Sequence, residues 1–451
     1  MKVIVVGSSH GGYETVRGIL ATQPDTEIQW YEQGDFLSFL SCGMQLYLEG
    51  TVKDVNQVRY ATPEGMTKAG VHVFIKQEIS KIDPNNRTVH VINHADGTER
   101  DETYDKLVLS VGAVPFELPV PGHELQNIYA MRGRDWAIKL KAKTVDPDIN
   151  NVVVIGSGYI GIEAAEVFAK AGKHVTVIDL LPRLLSLYLD EEFTSTLTAE
   201  MATHHITAAV NQQVQAFNGE AGHVVSVTTD QATYPADLVV SAAGIKANTT
   251  MLKGVVDLDD HGLIKINQYL QTSQPDIYAV GDATLVPFAP TGQSARIALA
   301  TNARRQGRFA AKNLLGIPSP MPAVSGSSAL SVFDYHFSST GVKTGTSKKL
   351  GIRSASVLVT DTVRPKFVPN NAGNDKVWFK LTFDPDDGRV LGAQIMSKID
   401  VTANINTISL AIQARLTVAD LAYTDFFFQP GFDRPWNIMN VAAQKALATL
   451  A

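Results

Sequence analysis

Two strand–glycine turn–helix units, one opening at Gly7 and one at Gly156, predict an α/β chain with two Rossmann-like dinucleotide-binding domains. A change of pattern after residue 320, to hairpin strands and short helices with no glycine turn, predicts a C-terminal α+β dimerisation domain. The expected division is 1–118 and 248–320 for the first nucleotide domain, 119–247 for the second, and 321–451 for the interface domain. The chain has 451 residues, 45% of them hydrophobic and 19% charged, which suits a globular protein with several cores. A net charge of -6 gives no basic surplus to draw nucleic acid or an anionic membrane. No apolar run approaches the roughly 18 residues of a membrane span. Val3–Val6 is too short for a signal-peptide core. One cysteine fits a reducing compartment, so a cytoplasmic protein is expected.

In order, Val3–Val6 is a strand and Gly7-Ser8-Ser9-His10-Gly11-Gly12 a turn that departs from GxGxxG at Ser9. Gly7 permits the tight turn and Gly12 lets the helix pack on the strand. The helix N-terminus then offers free N–H groups to a pyrophosphate. The strand Glu27–Tyr31 ends at Glu32, where an acid binds ribose hydroxyls. Val71–Ile75 and Thr88–Ile92 alternate as strands, with a hairpin signal at Asp96-Gly97. Leu107–Ser110 is a buried strand, and Gly112 and Pro115 mark a turn after Val111, on the side that faces a ligand crevice.

The second unit is cleaner. Val152–Ile155 leads to a complete Gly156-Ser157-Gly158-Tyr159-Ile160-Gly161, with helix through Lys170. Val175–Ile178 ends at Asp179, which favours NADH by repelling a 2′-phosphate, although nearby Arg183 would accommodate one. Asp237–Ser241 runs to Ala243 and Gly244. The strand Ile277–Val280 delivers Asp282, with a helix expected from about Ser294. Two glycine turns in one chain point to two nucleotides, FAD in the first and a nicotinamide in the second. Beyond residue 320, helices are expected at 401–415 and 418–423, the latter capped by Thr417 and Asp420. Phe426-Phe427-Phe428 is expected to be core or interface. No metal site is expected.

Gly7–Gly12, Ser110–Pro115, Gly156–Gly161 and Thr272–Ala283 together resemble the flavoprotein disulfide reductases over essentially the whole chain. The chain departs from their disulfide branch, having one cysteine and no His-Pro pair near its end. Residues 8–14, Ser38–Gly43, Phe428–Pro430 and Arg434–Asn437 resemble the NADH peroxidase and water-forming NADH oxidase branch, the peroxidases most. The resemblance implies FAD on Gly7, Ser8, Ser9, Gly11, Gly12, Glu32, Gln33, Cys42, Ser110, Val111, Gly112, Arg132, Asp282, Ala298, Leu299 and Ala300. It implies NADH on Gly158, Tyr159, Ile160, Gly161, Glu163, Asp179, Leu180, Tyr188, Ala243 and Gly244, with Tyr159 gating the flavin face.

It also implies a cycle in which a Cys42 thiolate attacks hydrogen peroxide, becomes a sulfenic acid and is reduced again at the expense of NADH. His10 would orient the peroxide, and Arg304 paired with Glu14 would set the field at His10. Physical chemistry agrees on one point: with no second thiol in the chain, Cys42 cannot condense into an intramolecular disulfide. A helix beginning at Gly43 would put Cys42 at its N-terminus and lower the thiol pKa. NADH peroxidase is therefore the leading expectation, with a water-forming NADH oxidase reducing dioxygen as the alternative. A coenzyme A disulfide reductase ranks third for want of a basic patch, and a non-turning flavin sensor is disfavoured by two complete cofactor sites. A homodimer or homotetramer is expected.

Overall fold

The computed structural model describes residues 1–450 of the chain. The first unit is a five-stranded parallel sheet in the order Ile277–Ala279, Lys106–Leu109, Lys2–Val6, Glu27–Glu32, Val71–Ile75. Val3, Ile4 and Val5 are fully buried, as an apolar run covered on both faces requires. One edge strand arrives from far downstream, and Lys106 Nζ holds it by donating to Asp276 Oδ1 at 2.6 Å. The second unit repeats the plan in the order Ile206–Val210, His174–Asp179, Asn151–Ile155, Leu238–Ser241, Ile128–Ala130. Each unit carries a small antiparallel sheet, Gln77–Thr103 in the first and Val214–Pro235 in the second.

The expected turn at 112–115 is only half a turn. Gly112 reverses the chain at φ +63°, but Ala113–Pro115 then pairs antiparallel with Ile245–Ala247 and ties the two units together. The helix expected from Ser294 starts later, at Ala300. Ser294 and Ala295 are held in a hairpin with Val286 and Pro287, and Leu299 is still extended at φ −128°.

The C-terminal sheet is antiparallel, in the order Ser328–Val332, Tyr335–Gly341, Val390–Ser397, Lys376–Phe383, Ala355–Thr362. Its two faces go to different neighbours, as the alternation of a strand allows. Phe379, Leu381 and Ile395 pack on the helices Ile405–Gln413, Val418–Ala422 and Ile438–Leu447. Phe337 and Met396 pack into the core of the second nucleotide unit. The helix expected at 401–415 is shorter: Thr402–Asn404 is a tighter turn, and Arg415 is left-handed at φ +58°. The capping box of Thr417 and Asp420 is present. Phe426 packs at the edge of that core, whereas Phe427 and Phe428 are exposed. Among the described residues no helix is long and apolar enough to cross a membrane.

Candidate active site

The two glycine turns have the same geometry. Gly7 and Gly156 sit at φ +94° and +95°, which only glycine adopts readily. A Cβ on Gly12 would lie 2.0 Å from the Gly7 carbonyl oxygen, and one on Gly161 1.9 Å from that of Gly156. Ser9 and Gly158 precede the helices His10–Thr22 and Tyr159–Lys170 with no side-chain cap, so the first N–H groups stay free for a phosphate. Leu299 leaves the helix Ala300–Leu314 uncapped in the same way, next to Ala298. These cradles fit FAD and a nicotinamide dinucleotide.

Each strand-end acid grips its own turn. Ser8 Oγ donates to Glu32 Oε2 at 2.6 Å, and Ser157 Oγ to Asp179 Oδ2 at 2.5 Å. The other oxygens accept from Gly34 N and Leu181 N, both at 2.8 Å, just past Gln33 and the exposed Leu180. The serine that follows the first glycine in both turns is the sequence signal for this grip. Ser110, Val111 and Gly112 lie at the carboxyl end of the first sheet, with Ala243 and Gly244 at that of the second. Arg183 Nη1 donates to Thr194 Oγ1 at 2.8 Å. Arg132 and Asp282, both expected at the FAD site, lie together: Arg132 Nη2 donates to Asp282 Oδ2 at 3.0 Å.

Cys42 lies in the tight turn Ser41–Gly43, before the short helix Met44–Glu49. Ser38, at φ +54°, hangs this stretch on the first glycine turn. Its N–H donates to Ser8 Oγ, and its Oγ accepts from Tyr60 N and Ala61 N. Cys42 is exposed to solvent, but protein still crowds its thiol. The expected lowering of its pKa does not occur. Burial pushes the thiol up, and the carboxylates of Glu163 and Asp282 add to that. Arg132 and a backbone hydrogen bond only partly offset them, and a helix that starts two residues later at Met44 is too short and too far on to reverse the sign.

His10 opens the first helix with its Nδ1 buried and without a partner. Burial lowers its pKa, and Arg304 adds to this; Asp282 opposes and Arg132 assists. The imidazole is therefore neutral near pH 7. Arg304 Nη1 donates to Glu14 Oε2 at 3.2 Å, and Arg308 Nη2 to Glu14 Oε1 at 2.6 Å. The Arg304 guanidinium lies 3.9 Å from the Tyr60 ring centre, and the His10 ring meets Tyr60 edge-on at 5.5 Å. Tyr60 thus joins the two, and no motif pointed to it. Gly307 allows this closeness, since a Cβ there would lie 2.5 Å from Gly11 O.

On the nicotinamide side Tyr159 and Tyr188 stack at 4.0 Å, and Ile160 is exposed. Glu163 is pushed up to about 7 by burial, with Glu166 and Glu49 adding negative charge. Lys170 Nζ bonds both Glu166 and Glu49, which leaves Glu163 without a cation. An ionised Glu163 opposes a Cys42 thiolate. Glu163→Gln is therefore expected to lower the Cys42 pKa and to remove an inflection near pH 7 from the iodoacetamide alkylation profile of the reduced protein. An unchanged profile would refute the coupling.

The fold and site define a two-nucleotide oxidoreductase, and the comparisons agree. The family description "Pyridine nucleotide-disulphide oxidoreductase" matches residues 1–307, and its dimerisation domain matches 327–438. The chain belongs to this family, in its NADH oxidase/peroxidase branch, for which FAD and NAD(H) are the expected cofactors. It is 40% identical over 453 residues to an NADH oxidase of Enterococcus faecalis, covering 100% of each chain. It is 34% identical to an NADH oxidase of Streptococcus pyogenes, covering 98% of each. A water-forming NADH oxidase from Lactobacillus brevis, solved with NADH, superposes with a TM-score of 0.96 at 38% identity, covering 100% of this chain and 99% of that one. The chain is thus an oxidoreductase acting on NADH, and the relatives' names point to dioxygen where the sequence reading put peroxide first.

Proposed function

We propose that the protein is a water-forming NADH oxidase in which Cys42 carries the second half of the reduction. The observation that carries this reading is one exposed sulfur with no second thiol in the chain, and a His10 that feels the same Asp282 and Arg132 charges as Cys42. The names of the relatives support dioxygen as the first acceptor. Bound FAD supplies two-electron transfer between NADH and an acceptor. Gly7–Gly12, Glu32, Ser110–Gly112, Asp282 and Ala298–Ala300 would hold it, and the second glycine turn with Asp179 would hold NADH.

Dioxygen that gains one electron pair and two protons is hydrogen peroxide. The Cys42 thiol gives up its proton as its sulfur attacks one peroxide oxygen, the O–O bond breaks, and the leaving hydroxide takes a proton to become water. His10, as a neutral hydrogen-bonding imidazole, orients the peroxide and steadies the leaving oxygen. Burial, with Arg304 held by Glu14 adding to it, favours that uncharged imidazole. A second electron pair from NADH and a proton return the sulfenic acid to thiolate and water. The peroxidase cycle is thus the closing half of the oxidase cycle. A reducing cytoplasm suits a resting Cys42 thiol, the form that burial favours. The exposed Phe427, Phe432 and Trp436 lie within the segment matched by the dimerisation domain, where we place a second copy of the chain in a dimer or tetramer.

The test is paired measurement of NADH and oxygen consumption. The expected result is one dioxygen per two NADH with no peroxide released. No oxygen uptake, with NADH oxidation on adding peroxide, would restore the peroxidase reading.

A further inference from the structure

One row of polar residues crosses the C-terminal sheet. The register places Ser328 opposite Ser339, Ser339 opposite Gln394, and Gln394 opposite Lys380. Residues directly opposite on neighbouring strands share a face. This face turns toward the second nucleotide unit, because Phe337, two residues before Ser339, packs there. Gln394 is fully buried and Lys380 is 7% exposed. Polar groups this deep need partners.

Those partners are at the nicotinamide site. Ser328 Oγ and Tyr159 Oη lie 2.7 Å apart. Gln394 Oε1 accepts from Asp190 N at 2.6 Å, and Gln394 Nε2 donates to Asp190 Oδ2 at 2.9 Å. Lys380 Nζ reaches Asp190 Oδ2 at 3.0 Å and Glu192 Oε1 at 2.8 Å. Thr344 Oγ1 donates to the same Asp190 oxygen at 2.8 Å. Asp190 immediately precedes the helix Glu191–Thr203, without capping it through its side chain, and ends the loop that carries Tyr188. The row therefore holds both members of the stacked pair, Tyr159 directly and Tyr188 through Asp190.

We propose that Ser328, Gln394 and Lys380 form a positioning row in the C-terminal domain that fixes the Tyr159–Tyr188 pair and so sets productive docking of NADH. None of the three is a catalytic residue. A free loop would have to be ordered each time NADH arrives, and ordering costs binding energy. A loop latched beforehand avoids that cost. The row also makes the nucleotide site depend on the domain matched by the dimerisation description, which holds no nucleotide turn of its own.

The inference rests on residues 156–188 forming the NADH site, and its test keeps the two apart. Ser328→Ala removes one hydroxyl at a half-buried position, and Lys380→Met removes the ion pair. In the FAD-loaded enzyme we expect the KM for NADH to rise about tenfold in Lys380→Met and several-fold in Ser328→Ala. Reoxidation of the dithionite-reduced enzyme by dioxygen should be unchanged, and Lys380→Arg should restore much of the lost affinity. If Lys380→Met does not fold, Ser328→Ala decides alone. An unmoved KM in a folded variant, or a loss shared equally by the reoxidation step, would overturn the row. Failure of the unaltered enzyme to oxidise NADH would overturn the NADH site itself.

Discussion

Cys42→Ser is expected to turn a water-forming enzyme into one that releases hydrogen peroxide. A serine hydroxyl stays protonated and cannot displace hydroxide from peroxide, so only the first electron pair reaches dioxygen. Oxygen uptake should then rise from one dioxygen per two NADH to one per NADH, with a matching yield of peroxide. FAD should stay bound, because the cradle at Gly7–Gly12 and the acid Glu32 are untouched by a change of one atom at residue 42. The measurement is a peroxide-specific dye assay beside oxygen and NADH traces. Water as the sole product from this variant would remove Cys42 from the mechanism. Abolished oxygen uptake with intact flavin would instead assign the first electron transfer to the sulfur, contrary to the order proposed above.

Gly12→Ala is expected to yield protein without FAD. The added methyl would lie 2.0 Å from the Gly7 carbonyl oxygen and 3.3 Å from Trp30 Nε1, and Trp30 Nε1 itself donates to that carbonyl at 3.0 Å. The carbonyl cannot move freely, because Gly7 is also fixed by its own N–H to Tyr31 O at 2.9 Å. The first helix must therefore shift away from the strand. Overpacking of this kind costs about 1–3 kcal/mol, and it also moves the free N–H groups that meet the pyrophosphate. The flavin absorbance of the purified variant reads the result directly. A yellow Gly12→Ala protein with normal flavin content would contradict the close approach. The second unit should keep its nucleotide affinity, since Gly161 makes its own separate approach to Gly156.

Much of this architecture was legible because it rests on local pattern. The apolar strands, the glycine turns and the strand-end acids each lie within about 30 residues, which is the reach of a βαβ unit. The Thr417–Asp420 capping box was readable for the same reason. What escaped depends on residues distant in sequence. Ala113–Pro115 looks like a turn until Ile245–Ala247 pairs with it. Tyr60 carries no motif and gains its place from His10 and Arg304, which come from opposite ends of the domain. Beside Cys42 only a helix start is visible locally, whereas the burial that raises its pKa, and the Glu163 and Asp282 charges that add to it, come from other parts of the chain. The pairing of Arg132 with Asp282, 150 residues away, likewise carries no local signal.

The first sheet is completed by Ile277–Ala279, and its glycine-turn helix packs on Ala300–Leu314. Everything needed for the second sheet is translated by Ser241. A chain leaving the ribosome can therefore close its inner nucleotide unit while the outer one still lacks an edge strand and a helix. Domains fold as units during synthesis, so the inserted unit becomes a folded spacer that holds the two halves of its host apart or together. Of the two nucleotide sheets, the one that begins first is thereby finished last.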